Sequence, residues 1–122
     1  MANDFKRFVK KDIGTGEGAS GSTVYTVPSS SSTAMESIVI GITIANKSTA
    51  GITCDVFLDA LGGASDDVYI VKDASIPAGS SLEVMSGNKL VLQNSGSAGD
   101  VLKMTSSTAS AADGIVSVLE DV

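Results

Sequence analysis

Ser37-Ile38-Val39-Ile40-Gly41-Ile42-Thr43-Ile44-Ala45 decides the fold of this chain. The stretch carries no charge, and most of it is β-branched. Such side chains are stiff at χ1 and pack well on a pleated surface. With a period of two, Ile38, Ile40, Ile42 and Ile44 share one face, and Val39, Gly41, Thr43 and Ala45 share the other. Both faces are apolar, so the stretch predicts a central strand. Left exposed, it would template aggregation.

Working outward, the same grammar repeats. After a turn at residues 46–51, residues 52–58 alternate. Ile52, Cys54, Val56 and Leu58 point one way, and Thr53, Asp55, Phe57 and Asp59 the other. A Gly-rich loop at 61–66 leads to a strand at 67–72. Ile76-Pro77-Ala78-Gly79 reads as a turn, with proline presetting φ and glycine supplying the left-handed position. Short strands are expected at 82–85, 89–93, 101–105 and 114–120, with turns at 86–88 and 94–99 between the first three. Before the central strand, residues 23–27 form a strand that Pro28 stops. Residues 14–21 and 29–33 are small polar loops. Strand starts recur every ~10–15 residues, the cadence of a sandwich or barrel. The expected fold is all-β: one antiparallel β-sandwich, jelly-roll or Ig-like, of about eight strands over residues 14–122.

Residues 1–13 stand apart in charge. They hold Lys6, Arg7, Lys10 and Lys11 against Asp4 and Asp12, for a net +2, while the remainder carries −8 of the total −6. Phe5, Val9 and Ile13 fit one face at strand or helix spacing, and Phe8 fits only the helix well. The sheet-like remainder favours an extended N-terminal arm.

Composition excludes several chemistries. The 122-residue chain has no His, no Trp and one Cys. Triads that need an imidazole are therefore absent, and Cys54 lacks the basic partner that would make it a thiolate. A lone cysteine forms no intrachain disulfide, which fits folding in a reducing cytoplasm. No apolar run approaches the ~18 residues of a membrane helix. The basic N-terminus is not followed by an apolar segment of signal-peptide type. An acidic body repels phosphates and disfavours nucleic acid. Surface scaling gives roughly 6,000 Å² for the folded chain, with about two thirds of the extended surface buried, enough for one core.

The local motifs resolve to bland readings. Gly16-Glu17-Gly18-Ala19-Ser20-Gly21 spells GxGxxG, but a strand leaves it where a dinucleotide site needs a helix. The spacing of Asp55, Asp59, Asp66 and Asp67 matches no EF-hand loop. Asn46-Lys47-Ser48 is a glycosylation triplet without a secretory context. No metal, cofactor or small-molecule substrate is expected.

Met1-Ala2-Asn3-Asp4-Phe5-Lys6-Arg7-Phe8 resembles the start of small virion structural proteins of tailed bacteriophages, particularly marine and cyanobacterial ones. Val24-Tyr25-Thr26-Val27-Pro28, the stretch from Val71-Lys72-Asp73 through Ile76-Pro77-Ala78-Gly79 to Leu82, and Val116-Ser117-Val118-Leu119-Glu120 are similar to the same group. The similarity spans nearly the whole chain. It implies a non-enzymatic structural subunit of a phage virion, in capsid decoration or as a neck or tail accessory, made in the host cytoplasm. The expected partners are further copies of the chain and major capsid or neck and tail proteins. Arm residues Phe5, Lys6, Arg7, Phe8, Lys10 and Lys11 are the expected contacts, with acidic loops at Asp55, Asp59, Asp66 and Asp67 as receptors. Deleting residues 2–13 should then leave the fold intact and abolish incorporation. The alternative is a β-sandwich module that binds a glycan or host cell surface, with Tyr25 and Tyr69 as its aromatic platform.

Overall fold

The computed structural model describes residues 3–17, 20–28, 35–60, 67–85, 89–96 and 98–121. Among the described residues the nine strands are β1 (Asn3–Lys10), β2 (Ser22–Thr26), β3 (Met35–Asn46), β4 (Ile52–Asp59), β5 (Asp67–Ile76), β6 (Ser81–Glu83), β7 (Leu90–Asn94), β8 (Val101–Ser106) and β9 (Ala112–Asp121). The turn expected at 86–88 and the loops at 29–33 and 61–66 lie outside the described residues. The accessible surface is 6193 Å², close to what size scaling predicts.

All pairings are antiparallel. One sheet, A, runs β1-β9-β3, with β7 and β6 both on the far side of β3. β7 pairs with the start of β3 and β6 with its end. The other sheet, B, runs β2-β8-β4-β5. First pairs with last, second with second-last, and so inward to the β4–β5 hairpin, β6 and β7 together filling one position. That nesting is a jelly roll. The Ig-like alternative pairs its strands differently.

The core lies between the sheets. Val39, Ile42, Ile44, Val116 and Val118 of sheet A meet Cys54, Val56, Leu102 and Met104 of sheet B. β3 is central, as its two apolar faces imply, but strict alternation fails inside it. A bulge between Val39 and Gly41 inserts one residue and resets the register. Ser37, Val39, Ile42 and Ile44 are consequently buried, while Ile40 is exposed.

Geometry demands glycine at positions 79 and 114, among others. Gly79 takes φ 72° in the turn that links β5 to β6, where Ser80 N–H donates to the Pro77 carbonyl at 3.1 Å. Gly114 leaves room on the inner face of β9 for the Met104 thioether, into which a Cβ would project.

The segment expected as a separate arm is extended, and it is the edge strand of sheet A. β1 pairs with β9 from Asn3 opposite Asp121 to Lys10 opposite Gly114, without a register shift. Ile13, just beyond it, is fully buried, and its N–H donates to the Ala112 carbonyl at 2.8 Å. Charge sets this segment apart in the sequence; pairing and burial join residues 3–13 to the sandwich. Deletion of residues 2–13 would therefore remove a strand and part of the core.

Candidate functional site

Strand geometry sorts the β1 side chains onto two faces. Phe5, Arg7 and Val9 lie on the outer face of sheet A, opposite Leu119, Ser117 and Ile115 of β9. Lys6 and Phe8 lie on the inner face. The Lys6 ammonium is 2.9 Å from Glu120 Oε1, and that hydrogen bond raises the lysine pKa. The Phe8 ring lies 4.6 Å from the Tyr25 ring. The Tyr25 hydroxyl donates to Glu120 Oε2 at 2.5 Å and shares a 2.7 Å bond with Ser37 Oγ. Burial, then the Glu120 carboxylate, pushes the Tyr25 phenol well above its usual range. Lys6 and Phe8 are thus engaged within the molecule, and Phe5, Arg7, Lys10 and Lys11 remain exposed.

Of the acids expected in loops, those that the structure describes lie on strands. Asp55 and Asp59 belong to β4, and Asp67 opens β5 opposite Asp59. Asp66 lies outside the described residues. Asp55 is only 3% exposed. It accepts the Asp73 N–H at 2.7 Å and the Lys72 ammonium at 3.2 Å. Lys103 stands 3.7 Å from Asp59 Oδ2. Sequence spacing placed Asp55 on an outward face correctly, but chain segments packed over that face bury it.

The outer face of sheet B is in fact partly covered. The Gly14 carbonyl accepts the Ser106 N–H at 2.9 Å, which holds the segment after β1 against β8. Further along, Glu17 accepts the Tyr69 hydroxyl at 3.0 Å. Phe57 is fully buried beneath this layer, 5.4 Å from the Tyr69 ring. A polar cleft of about 170 Å³ remains, lined by Thr15, Glu17, Asp55, Asp73 and Ser107 among others. Among the described residues, no group of acids has metal-site geometry.

Sheet A presents the opposite character. Phe5, Leu119, Ile38 and Val91 are successive cross-strand partners on β1, β9, β3 and β7. They form an apolar row across the outer face, with Phe5 79% exposed and Val91 56% exposed. Val9 beside Ile115, beyond the Arg7–Ser117 pair, and the bulged Ile40 are further exposed apolar side chains on this face. Exposed apolar side chains gathered on one face mark an interaction surface. Sequence reasoning found Phe5 and missed Ile38, Ile40, Val91, Ile115 and Leu119. The available signal is β3, apolar on both faces, which also fits one face buried and the other covered by a partner.

The aromatic platform of the glycan alternative is not assembled. Tyr25 is 2% exposed and part of the core, while the exposed Tyr69 has its hydroxyl held by Glu17 and Lys72 Nζ 5.0 Å from its ring centroid. Cys54 is a buried core residue, and burial raises its thiol pKa. No family model matches the chain, and neither curated proteins nor solved structures yield a match.

Proposed function

We propose that this chain is a non-enzymatic structural subunit of a tailed-phage virion, in capsid decoration or at the neck or tail, that assembles through sheet A. The observation that carries the reading is the apolar row Phe5–Leu119–Ile38–Val91, which crosses the outer face of sheet A and ends at edge strand β1. An assembly protein needs surface that water does not satisfy, and many such weak contacts add through avidity. The jelly roll is itself a common capsid architecture. The resemblance of the N-terminal, Tyr25, Pro77 and C-terminal stretches to phage structural proteins supplies the virion context.

Because β1 belongs to the fold, point changes on the outer face test this reading better than truncation. The wild-type protein is expected in purified tailed particles at defined occupancy. Ile115→Asp and Val91→Asp alter exposed side chains, so each variant should remain folded and be lost from particles. Absence of the wild-type protein from particles, or full occupancy by both variants, would overturn the proposal.

A further inference from the structure

The four sheet edges differ in how they are protected. β2 is short and carries a register shift. β5 is broken by two shifts and holds Asp73 at φ 53°. β6 has three residues and β7 five. Bulges and shortness of this kind block strand addition. β1 has neither: eight residues run in unbroken register with β9. Among the described residues no strand pairs with its other side. Its backbone donors and acceptors along that side form a template.

The charges on β1 select what can add there. We infer that β1 pairs antiparallel with β1 of a second copy, about a two-fold axis passing through Arg7, to make one sheet continuous across two subunits. A two-fold perpendicular to the sheet keeps both outer faces on the same side. Outward residues then oppose outward residues, and only a few registers are allowed. Centred on Arg7, Asp4 opposes Lys10 twice and Phe5 opposes Val9 twice. Centred on Lys6, Lys6 opposes Lys6. Centred on Phe5, only residues 3–7 of the strand pair; centred on Phe8, Lys6 opposes Lys10 twice. Opposite charges and apolar pairs across strands stabilise, and like charges destabilise. The Arg7 register has one like-charge contact, Arg7 on itself, against two ion pairs and two apolar pairs.

This pairing also extends the apolar row. Val91, Ile38, Leu119 and Phe5 of one copy continue into Val9 and Ile115 of the other. The most exposed ring of the molecule, Phe5, gains an aliphatic neighbour there. The inference rests on the assembly reading and names its partner: a second copy of this chain.

A cysteine on the axis tests it. Residues directly opposite in an antiparallel pair have Cα atoms about 4.5–5.5 Å apart, within disulfide reach. The native Cys54 is buried and will not interfere. Purified Arg7→Cys is expected to oxidise to a covalent dimer of twice 12.2 kDa, whereas Ser117→Cys, one strand in from the edge, stays monomeric. Separately, the wild-type protein should sediment as a dimer at micromolar concentration. Asp4→Lys and Lys10→Asp should each weaken that dimer about tenfold, and the double exchange should restore it, with circular dichroism unchanged throughout. A wild-type monomer, no Arg7→Cys crosslink, or no rescue by the double exchange overturns the inference. A wild-type protein that is monomeric and still enters particles refutes this pairing alone. A dimer that never enters particles supports the pairing and refutes the virion reading alone.

Discussion

Lys6 on the first strand is ion-paired at 2.9 Å with Glu120 on the last strand, and Glu120 is 1% exposed. A buried carboxylate is tolerable only with its partners in place. Here Lys6 and Tyr25 supply them, and the pair ties the edge strand to the body.

Removing one partner should therefore cost more than removing an ordinary surface contact. Tyr25→Phe deletes the 2.5 Å bond to Glu120 and is expected to lose about 1.5–3 kcal/mol, the range for hydrogen bonds to charged groups. Lys6→Met should also lower the urea midpoint, with an unchanged m-value. A Tyr25→Phe protein as stable as the parent would show that water replaces the phenol.

Glu17 and Asp55 give stability opposite dependences on pH. Burial pushes the Asp55 pKa up, but the Asp73 N–H, Glu17 and Lys72 outweigh it and hold the group below 3.8. Its contribution is present above that value and is lost as pH falls through the folded pKa. Glu17 is raised above 4.5, first by its hydrogen bond to Asp55 and then by burial. The folded chain holds that proton longer, so this contribution is lost as pH rises from 4.5 through the folded pKa. Glu17→Gln should be more stable than the parent at neutral pH and equal to it well below pH 4.5. Thermal midpoints measured across that span decide; lower stability of the variant at neutral pH would refute the assignment.

The thiol of Cys54 should be inert in the folded protein. It is 1% exposed and its pKa is raised by burial, which a Ser106 hydrogen bond only partly opposes. An aromatic disulfide reagent is expected to leave the native protein unlabelled and to label one thiol after unfolding. Rapid labelling under native conditions would mean that β4 and β8 separate readily.

Gly114→Ala should destabilise by about 1–3 kcal/mol, the usual cost of overpacking a core. The new Cβ would meet the Met104 thioether, which has no solvent to move into because Met104 is fully buried. Urea unfolding of the variant beside the parent measures this. A neutral result would show that Met104 has a second rotamer within the core.

Strand positions were legible in the sequence because the signal is local. Alternation, turn residues and β-branching placed the β4 strand and the Pro77 turn within a residue or two of where they lie. The bulge in β3 was not legible. It has no composition signature, and it reverses which isoleucines face the core after Val39. The exposed apolar residues divided in the same way. Phe5 is named in the sequence as part of the N-terminal segment, whereas Ile38, Ile115, Leu119 and Val91 become one surface only when four strands come into register.

The amino-acid sequence by itself determined the class of fold and the poverty of catalytic groups. Side-chain chemistry and period two act over neighbouring residues and need no partner. Tertiary structure alone decided the nesting order of the strands, the docking of β1 on β9, the burial of Asp55 and the openness of sheet A. Each depends on pairings between residues as far apart as Asn3 and Asp121. Pairing at that distance is set by how the two sheets close over a shared core, which no local window of the chain contains.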